Sequence, residues 1–358
     1  MNTLKSKMVV KAALAVSLSV GAVLYASATA YTNALDATQY LTPRTAANWN
    51  DPMFWGGGGV PNDPDDIVIF TASSLHGERI FLTNAVGISV KRIDCDINLP
   101  NLCYVSDEPV SFYGSAVSSK GIWYYAPVSI PANANPYFWR ICFCGDFSLP
   151  VGNKCLFHGA SAVAFHYDRY VTEAGETREI PAWEGTVSVY DLPLNFYAPE
   201  SSTNAVALDF EQQADSPYLR RVSGTSADPL CVGTLVTGAG IPDGTYLKRV
   251  FPLKEWIELS NPVTSTVAQN SLTFAPFNPK VHLRVAKYVP NGSAVNNAVN
   301  VSKYGATDSM ELEIDYTKLL ATSASGAPRS LIFGTAPLDD NVVLAQPLKP
   351  GRVIIHEV

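Results

Sequence analysis

Short apolar runs separated by glycine, proline, asparagine and serine constrain this chain more than any other feature. Between residues 67 and 168 no apolar stripe of helical period is sustained over three turns. Short runs bounded by turn residues predict strands instead. The strand candidates in this region are 67–70, 79–82, 88–93, 109–113, 122–125, 137–143 and 162–167. We therefore expect an all-β protein whose body is a β-solenoid or a stacked β-sandwich.

The first thirty residues have the pattern of a secretory signal peptide. Lys5, Lys7 and Lys11 precede the apolar run 12–25, and the small residues 26–30 follow it. The apolar run is too short to span a bilayer comfortably, and this arrangement is typical of a cleaved signal. We expect cleavage after Ala30, with an uncleaved N-terminal anchor as the alternative. No later segment is apolar enough to suggest a membrane span, so we expect an extracellular or cell-surface protein.

The chain that remains after cleavage is acidic. Removing residues 1–30 takes away three lysines and no acids, which moves the formal charge from −7 to −10. A protein of this charge is not drawn to phosphate backbones, so nucleic acid is excluded as an expected partner. Charged residues make up 16% of the chain and apolar residues 47%. This balance favours a folded body over a disordered one.

Six cysteines lie after the signal segment, and an exported protein with an even number of cysteines can form disulfides. The spacing does not determine their pairing. Two of them, Cys142 and Cys144, are two apart in a strand candidate and point to one face. Each of these would pair elsewhere, with Cys155 or Cys95 as candidates, or stay a small buried thiol. The spacing matches no zinc pattern. The disulfide candidates are Cys95, Cys103, Cys142, Cys144, Cys155 and Cys231.

A tryptophan-rich loop precedes the first strand candidate. Trp49 and Trp55 either plug the open end of a β core or offer a platform for a sugar ring, and the plug is the simpler interpretation. Asp63, Asp65 and Asp66 follow in a Pro-Asn-Asp-Pro-Asp-Asp segment. Asn, Asp and Pro form turns, and the same carboxylates are also candidates for binding calcium through oxygen ligands. Calcium is the only cofactor that the sequence suggests.

Two segments resemble known families. Trp49, Trp55, the glycines 56–59 and residues 60–70 together resemble the opening of secreted bacterial surface proteins with autotransporter-type β-strand repeats. Residues 122–130, which contain Ala-Pro-Val-Ser-Ile, are similar to the coil repeats of those proteins. The resemblance implies an elongated surface scaffold built on a right-handed β-solenoid, and it implies no catalytic residues.

The second resemblance covers residues 222–274, which look like a small β module found in phage fibre and bacterial surface proteins. Gly-Ile-Pro-Asp-Gly-Thr at 240–245 forms the turn of that module, since Pro242 presets one backbone dihedral angle and Gly244 supplies a permissive one. The expected organisation is a signal peptide at 1–30, a capping segment at 31–66, a solenoid body at 67–221, a small β module at 222–275 and a closing β segment at 276–358.

No reaction centre emerges from the sequence. It contains no G-x-S-x-G elbow, and its five histidines are scattered. We expect a non-enzymatic, exported structural protein that associates with copies of itself or with other surface components. The alternative is a carbohydrate-binding module. A third hypothesis is a polysaccharide lyase or hydrolase, which needs a groove with converging acids. The candidates for stacking on glycans, provided they face outward, are Trp123, Tyr124, Tyr137 and Trp139.

Overall fold

The computed structural model shows an all-β protein, as the sequence predicts. Outside its strands the described chain forms turns, irregular segments and single 3-10 turns, at Pro43–Thr45, Pro52–Trp55 and Pro252–Lys254. Most of the expected signal peptide, residues 1–28, lies outside the described residues. The structure describes residues 29–33, 40–70, 79–95, 101–158, 163–175, 177–180, 183–190, 194–198, 200, 202–224, 228–285, 288–291, 299–303, 310–315, 332–333 and 352–356.

The body is a parallel β-solenoid, which confirms the first of the two expected architectures. Each strand pairs in parallel with the equivalent strand of the next coil, and the paired strands form one 17-stranded sheet. Its strands are β1 (Ala30–Thr32), β2 (Ala47–Asn48), β3 (Ile67–Phe70), β4 (Arg79–Thr83), β5 (Ile88–Cys95), β6 (Asn101–Val105), β7 (Val110–Tyr125), β8 (Val128–Ser129), β9 (Tyr137–Phe143), β10 (Phe147–Ser148), β11 (Lys154–His158), β12 (Val163–His166), β14 (Thr186–Tyr190), β15 (Leu194–Ala198), β23 (Tyr288–Asn291), β24 (Val299–Lys303) and β26 (Ile332–Phe333).

A second parallel sheet of four strands belongs to the later coils. Its strands alternate along the chain with later strands of the first sheet, so both sheets are built by the same winding. They are β13 (Thr177–Ile180), β22 (Lys280–Val285), β25 (Met310–Asp315) and β27 (Arg352–His356).

The long strand β7 shows how a coil is made. Its start pairs with Ile88 of β5, its middle with Ile93 of β5, and its end with Tyr104 of β6. The chain therefore passes three faces in each of these coils. Face one holds the first residues of β5 and β7 with β8 and β10. Face two holds the stack that runs from β1 and β3 through β9 and β11 to β14 and β23. Face three holds the stack that runs from β2 and β4 through β12 to β15, β24 and β26.

Glycines shape two of the corners between faces. Gly121 has a φ of 121°, which a side chain would strain, and it turns β7 from face two to face three. A Cβ on Gly145 would collide with the backbone oxygen of Ala126 in the preceding coil. Coils about 4.8 Å apart leave no room for a side chain at such a corner.

The inward side of each face builds one continuous core. On face three, Leu82, Tyr104, Tyr124 and Phe143 lie in register on successive coils and are almost fully buried. The ring centroids of Tyr124 and Phe143 are 6.2 Å apart in a stacked geometry. Alternation along each strand places every second side chain in this core.

The two rings of the tryptophan loop are buried in the core, which is consistent with the plug interpretation. Trp49 and Trp55 are 0% and 4% exposed, with ring centroids 4.8 Å apart. The Trp49 indole N–H donates to the backbone oxygen of Pro61 at 2.8 Å, and the Trp55 N–H donates to that of Trp49 at 2.8 Å. Both tryptophans therefore bury their rings without leaving a donor unpaired.

A six-stranded antiparallel sheet is inserted between β15 and β22. The two ends of the insertion meet where Ser202 and Phe277 exchange backbone hydrogen bonds of 2.7 and 2.8 Å. We call this insertion the module. It is larger than the expected 222–275, because two strands upstream of residue 222 belong to its sheet. Its strands are β16 (Val206–Gln212), β17 (Tyr218–Arg221), β18 (Val236–Thr237), β19 (Leu247–Val250), β20 (Trp256–Leu259) and β21 (Val267–Phe274). The part of the chain that the structure describes contains no helix long and apolar enough to cross a membrane.

Candidate functional site

Face three carries apolar side chains on its outer side as well as on its inner side. The register aligns Phe81, Cys103, Trp123 and Cys142 on successive coils, all at outward positions. Phe81 and Cys103 are nevertheless only 2% and 0% exposed. An isolated solenoid would leave these side chains in water, so another part of the chain must cover them.

The module provides that cover. The Phe251 ring centroid lies 5.4 Å from that of Phe81 and 5.0 Å from that of Tyr125. Trp256 belongs to the same buried cluster, and Trp123 packs against it. Outward aromatic residues of face three therefore serve to dock the module.

Two of the four glycan-stacking candidates are placed by this arrangement. Trp123 lies at the edge of the docked cluster, with its ring 4.6 Å from that of His166 and 6.4 Å from that of Tyr125. Tyr124 is 1% exposed. Tyr124 does not meet the condition of facing outward, because alternation along β7 sends it into the core between its outward neighbours.

A buried ionic network anchors the module to the solenoid. Arg249 of β19 is 2% exposed and donates to Glu258 at 2.6 Å, to the Ser106 backbone oxygen at 2.7 Å and to Asp107. Its guanidinium also lies 4.3 Å from the ring centroid of Tyr170. Burial alone would raise the pKa of Asp107, but the neighbouring cations outweigh it and lower that pKa.

Two further ion pairs hold the edges of the module. Lys254 donates to Glu200 at 2.7 Å, and both side chains are largely buried. Arg44, in the capping segment, donates to Glu211 at 2.7 Å and lies 4.9 Å from the ring centroid of Trp256. The module is thus held by charged contacts at its edge and by apolar contacts at its centre.

His166 and Asp168 form the arrangement that most resembles catalytic machinery. Their side chains are 3.2 Å apart, and Asp168 also pairs with Arg169 at 3.1 Å. The His166 ring is held between Trp123 and Tyr197, stacked on the latter at 4.2 Å and 1°. Burial lowers the pKa of His166 more than Asp168 raises it. A neutral imidazole fixed between two rings therefore serves as a packing group at the edge of the docked face.

The nearby thiols do not complete a nucleophilic pair with His166. None of the six cysteines is joined in a disulfide, so the predicted disulfides are not formed in this structure. Burial raises the pKa of Cys103 and of Cys142 to about 12, and it also raises that of Cys144. Because the thiolate is the reactive form, these thiols are inert small apolar groups.

The acidic segment before β3 makes turns. Asp66 accepts backbone hydrogen bonds from Asn62 at 2.9 Å and Asp63 at 3.0 Å. Asp63 accepts from the backbone of Asp65 at 3.0 Å, and Asp65 pairs with Lys91 at 3.1 Å. Among the described residues no group of three or more His, Cys, Asp or Glu is arranged to hold a metal ion. Calcium binding by this segment stays a prediction.

The other two stacking candidates lie on the outer side of face two. Tyr137 and Trp139 of β9 pair with Leu156 and His158 of β11 on the next coil. Leu156 is 36% exposed and the three rings are half-buried. The ring centroids are 6.5 Å apart for Tyr137 and Trp139 and 5.0 Å for Trp139 and His158. We call these four residues the aromatic strip.

Polar groups accompany the aromatic strip. The Tyr137 hydroxyl and His158 Nδ1 share a hydrogen bond of 3.2 Å, and burial raises the pKa of Tyr137. Arg140 follows Trp139 with a φ of 58°, a left-handed conformation that turns β9 from face two to face three. The strip is therefore fixed on a rigid corner of the solenoid.

No family model matches this chain, and no curated protein or solved structure matches it. The resemblance to secreted surface proteins stays an expectation from the sequence.

Sequence reasoning missed the polar anchors of the module. Glu258 is the only charged residue in the strand Trp256–Leu259, and Arg249 follows Lys248 in the strand Leu247–Val250. An isolated charge in an apolar strand signals either an exposed position or a buried partner. The partner Asp107 is far away in sequence, so the pairing itself required the fold.

Proposed function

We propose that this protein is an exported, non-enzymatic structural protein of the cell surface or extracellular space, whose solenoid acts as a rigid scaffold and associates with copies of itself. The observation that carries the proposal is the docking of the module on face three. Arg249, one of the most deeply buried charged residues in the described part of the chain, joins the module to the solenoid. The chemical groups of the interface thus serve to hold two β units together.

The buried titratable groups support a structural role. His166 and Asp168 lie beneath aromatic rings and next to Arg169, and neighbouring thiols have raised pKa values. A catalytic group needs access to substrate and a pKa suited to proton transfer. These groups have neither, since burial favours neutral His166 and neutral thiols.

Export and assembly can be tested separately. N-terminal sequencing of protein secreted by the natural host should find Tyr31 as the first residue, and retention of residues 1–30 would contradict cleavage. β1 spans the bond that would be cut, so Tyr31 and Thr32 should keep their pairing with β3. Size-exclusion chromatography with light scattering, together with negative-stain electron microscopy, should show elongated particles whose mass rises with concentration. A compact monomer at high concentration would contradict the scaffold proposal.

A further inference from the structure

We propose that the aromatic strip on face two is a binding site for an anionic polysaccharide. Tyr137, Trp139 and His158 form a group of three partly exposed rings, with neighbouring centroids 5.0 to 6.5 Å apart. Half-exposed Tyr, Trp and His combine an apolar ring with a polar tip. A sugar ring has the matching chemistry, since its C–H face packs on aromatic rings and its hydroxyls bond to polar tips.

The backbone under the strip is rigid and its geometry is fixed. β9 pairs with β7 on one side and with β11 on the other, and Phe138 and Phe157 anchor these strands in the core with their rings stacked at 5.7 Å. A site fixed in this way loses little conformational entropy when a ligand binds. Repetition of the coil also gives an extended surface, which suits a chain-like ligand.

Charge decides which polysaccharide fits. The chain has 32 acidic residues against 25 Lys and Arg, yet β9 and β11 contain no acid, and β14 on the next coil contains none either. Arg140 lies at the end of the strip, and Lys154 occupies an exposed outward position in line with Leu156 and His158. An aromatic surface that carries the exposed cation Lys154 and no acid on its own strands, in an otherwise acidic protein, fits a ligand that carries carboxylates.

The contrast with face three makes the assignment specific. There the outward residue Phe81 is only 2% exposed beneath Phe251, whereas Leu156 in the strip is 36% exposed. Sequence reasoning grouped Trp123 with Trp139, and the fold separates them. Binding therefore depends on Trp139 and not on Trp123.

Affinity electrophoresis and calorimetry on the secreted, full mature chain test this site with alginate, polygalacturonate and hyaluronan as probes. Fully methyl-esterified polygalacturonate serves as the neutral counterpart of the second probe. We expect at least one acidic polysaccharide to bind, and Trp139→Ala to weaken that binding about tenfold or more. Lys154→Gln should weaken it about threefold, and more salt should weaken it further, because charges are screened beyond about 8 Å at physiological ionic strength.

Matched controls separate binding from folding. Lys91→Gln removes an exposed cation that pairs with Asp65 in an earlier coil, and Trp123→Phe alters the docked face. Both variants should bind like the wild type. Trp139→Phe should retain most of the binding if Trp139→Ala loses it through the ring and not through misfolding. Absence of binding to all three acidic probes, equal binding to the esterified form, or a loss in Trp123→Phe as large as that in Trp139→Ala would each overturn the proposal.

The result is independent of the structural role. A scaffold that assembles but binds no acidic polysaccharide would remove this site alone. A monomeric protein that binds through Trp139 would remove the assembly proposal alone.

Discussion

Face two and face three are built by the same winding of the chain, and both carry aromatic side chains on their outer sides. On face three these side chains meet the module, and Phe81 and Tyr125 are buried beneath Phe251. On face two the aromatic strip stays half-exposed beside Leu156. An outward aromatic residue on a solenoid therefore has two different uses, docking another part of the same chain or meeting a partner. Only the position of the insertion distinguishes them.

The largest expected effect comes from truncating one outward side chain on each of the two faces. Phe81→Ala should lower the free energy of unfolding by about 4 kcal/mol, because it opens a cavity beneath the module. Leu156→Ala should lower it by less than about 1 kcal/mol, since its side chain is already 36% exposed. Urea unfolding followed by circular dichroism measures both. Equal losses would show that the module does not cover face three.

Next in size is the loss of the ionic anchor. Arg249→Met should cost about 3 kcal/mol, because it leaves the buried carboxylate of Glu258 without its closest cation. Arg220→Met is the matched control, since the Arg220 side chain is 53% exposed and lies 3.8 Å from Glu255. Its cost should stay below about 0.5 kcal/mol. Equal melting temperatures of the two variants in thermal unfolding would show that Arg249 does not anchor the module.

The strand pattern was predictable from sequence because it depends on local alternation and on turn residues. That pattern left a solenoid and a sandwich open, and the separate β module was expected from a resemblance. The interpretation of the tryptophans as a plug followed from the size of their rings. The different surroundings of Trp123 and Trp139 could not be predicted, because both are outward residues in similar strands. What separates them is that Trp123 packs against the buried cluster that contains Phe251, a residue more than one hundred positions later in the chain. The pairing of Arg249 with Asp107 could not be predicted either, because these residues are also far apart in the sequence.

Acid should weaken the docked face. His166 has a folded-state pKa below its ordinary 6.5, so the unfolded chain takes up a proton first and stability falls as the pH drops below 6.5. Asp107 and Asp168 have pKa values below 3.8, so their contribution is present above 3.8 and is lost as the pH falls through their lowered values.

Melting temperatures from pH 8 to pH 3 measure this dependence. His166→Phe should remove the part that begins near pH 6.5, because Phe does not titrate and can stack on Tyr197 as the imidazole does. An unchanged slope between pH 6.5 and pH 5 in that variant would exclude His166 as the titrating group.

The smallest expected effect lies in the core beneath both faces. The hydroxyls of Tyr104 and Tyr124 are buried and have no hydrogen-bond partner among the described residues, and burial raises both pKa values. Tyr124→Phe should therefore stabilise the protein by about 1 kcal/mol, because it removes an unsatisfied polar group and keeps the ring. A loss of stability in urea unfolding would mean that the hydroxyl has a partner.

Hydrogen–deuterium exchange of the mature chain tests the docked module most directly. Peptides from β6 and the end of β7 on face three should exchange as slowly as peptides from β19 and β20, and all of them should become exposed in one cooperative step as urea is added. Module peptides that exchange much faster, with face three becoming exposed at the same time, would show that the module opens from the solenoid and would contradict the account of a single rigid scaffold.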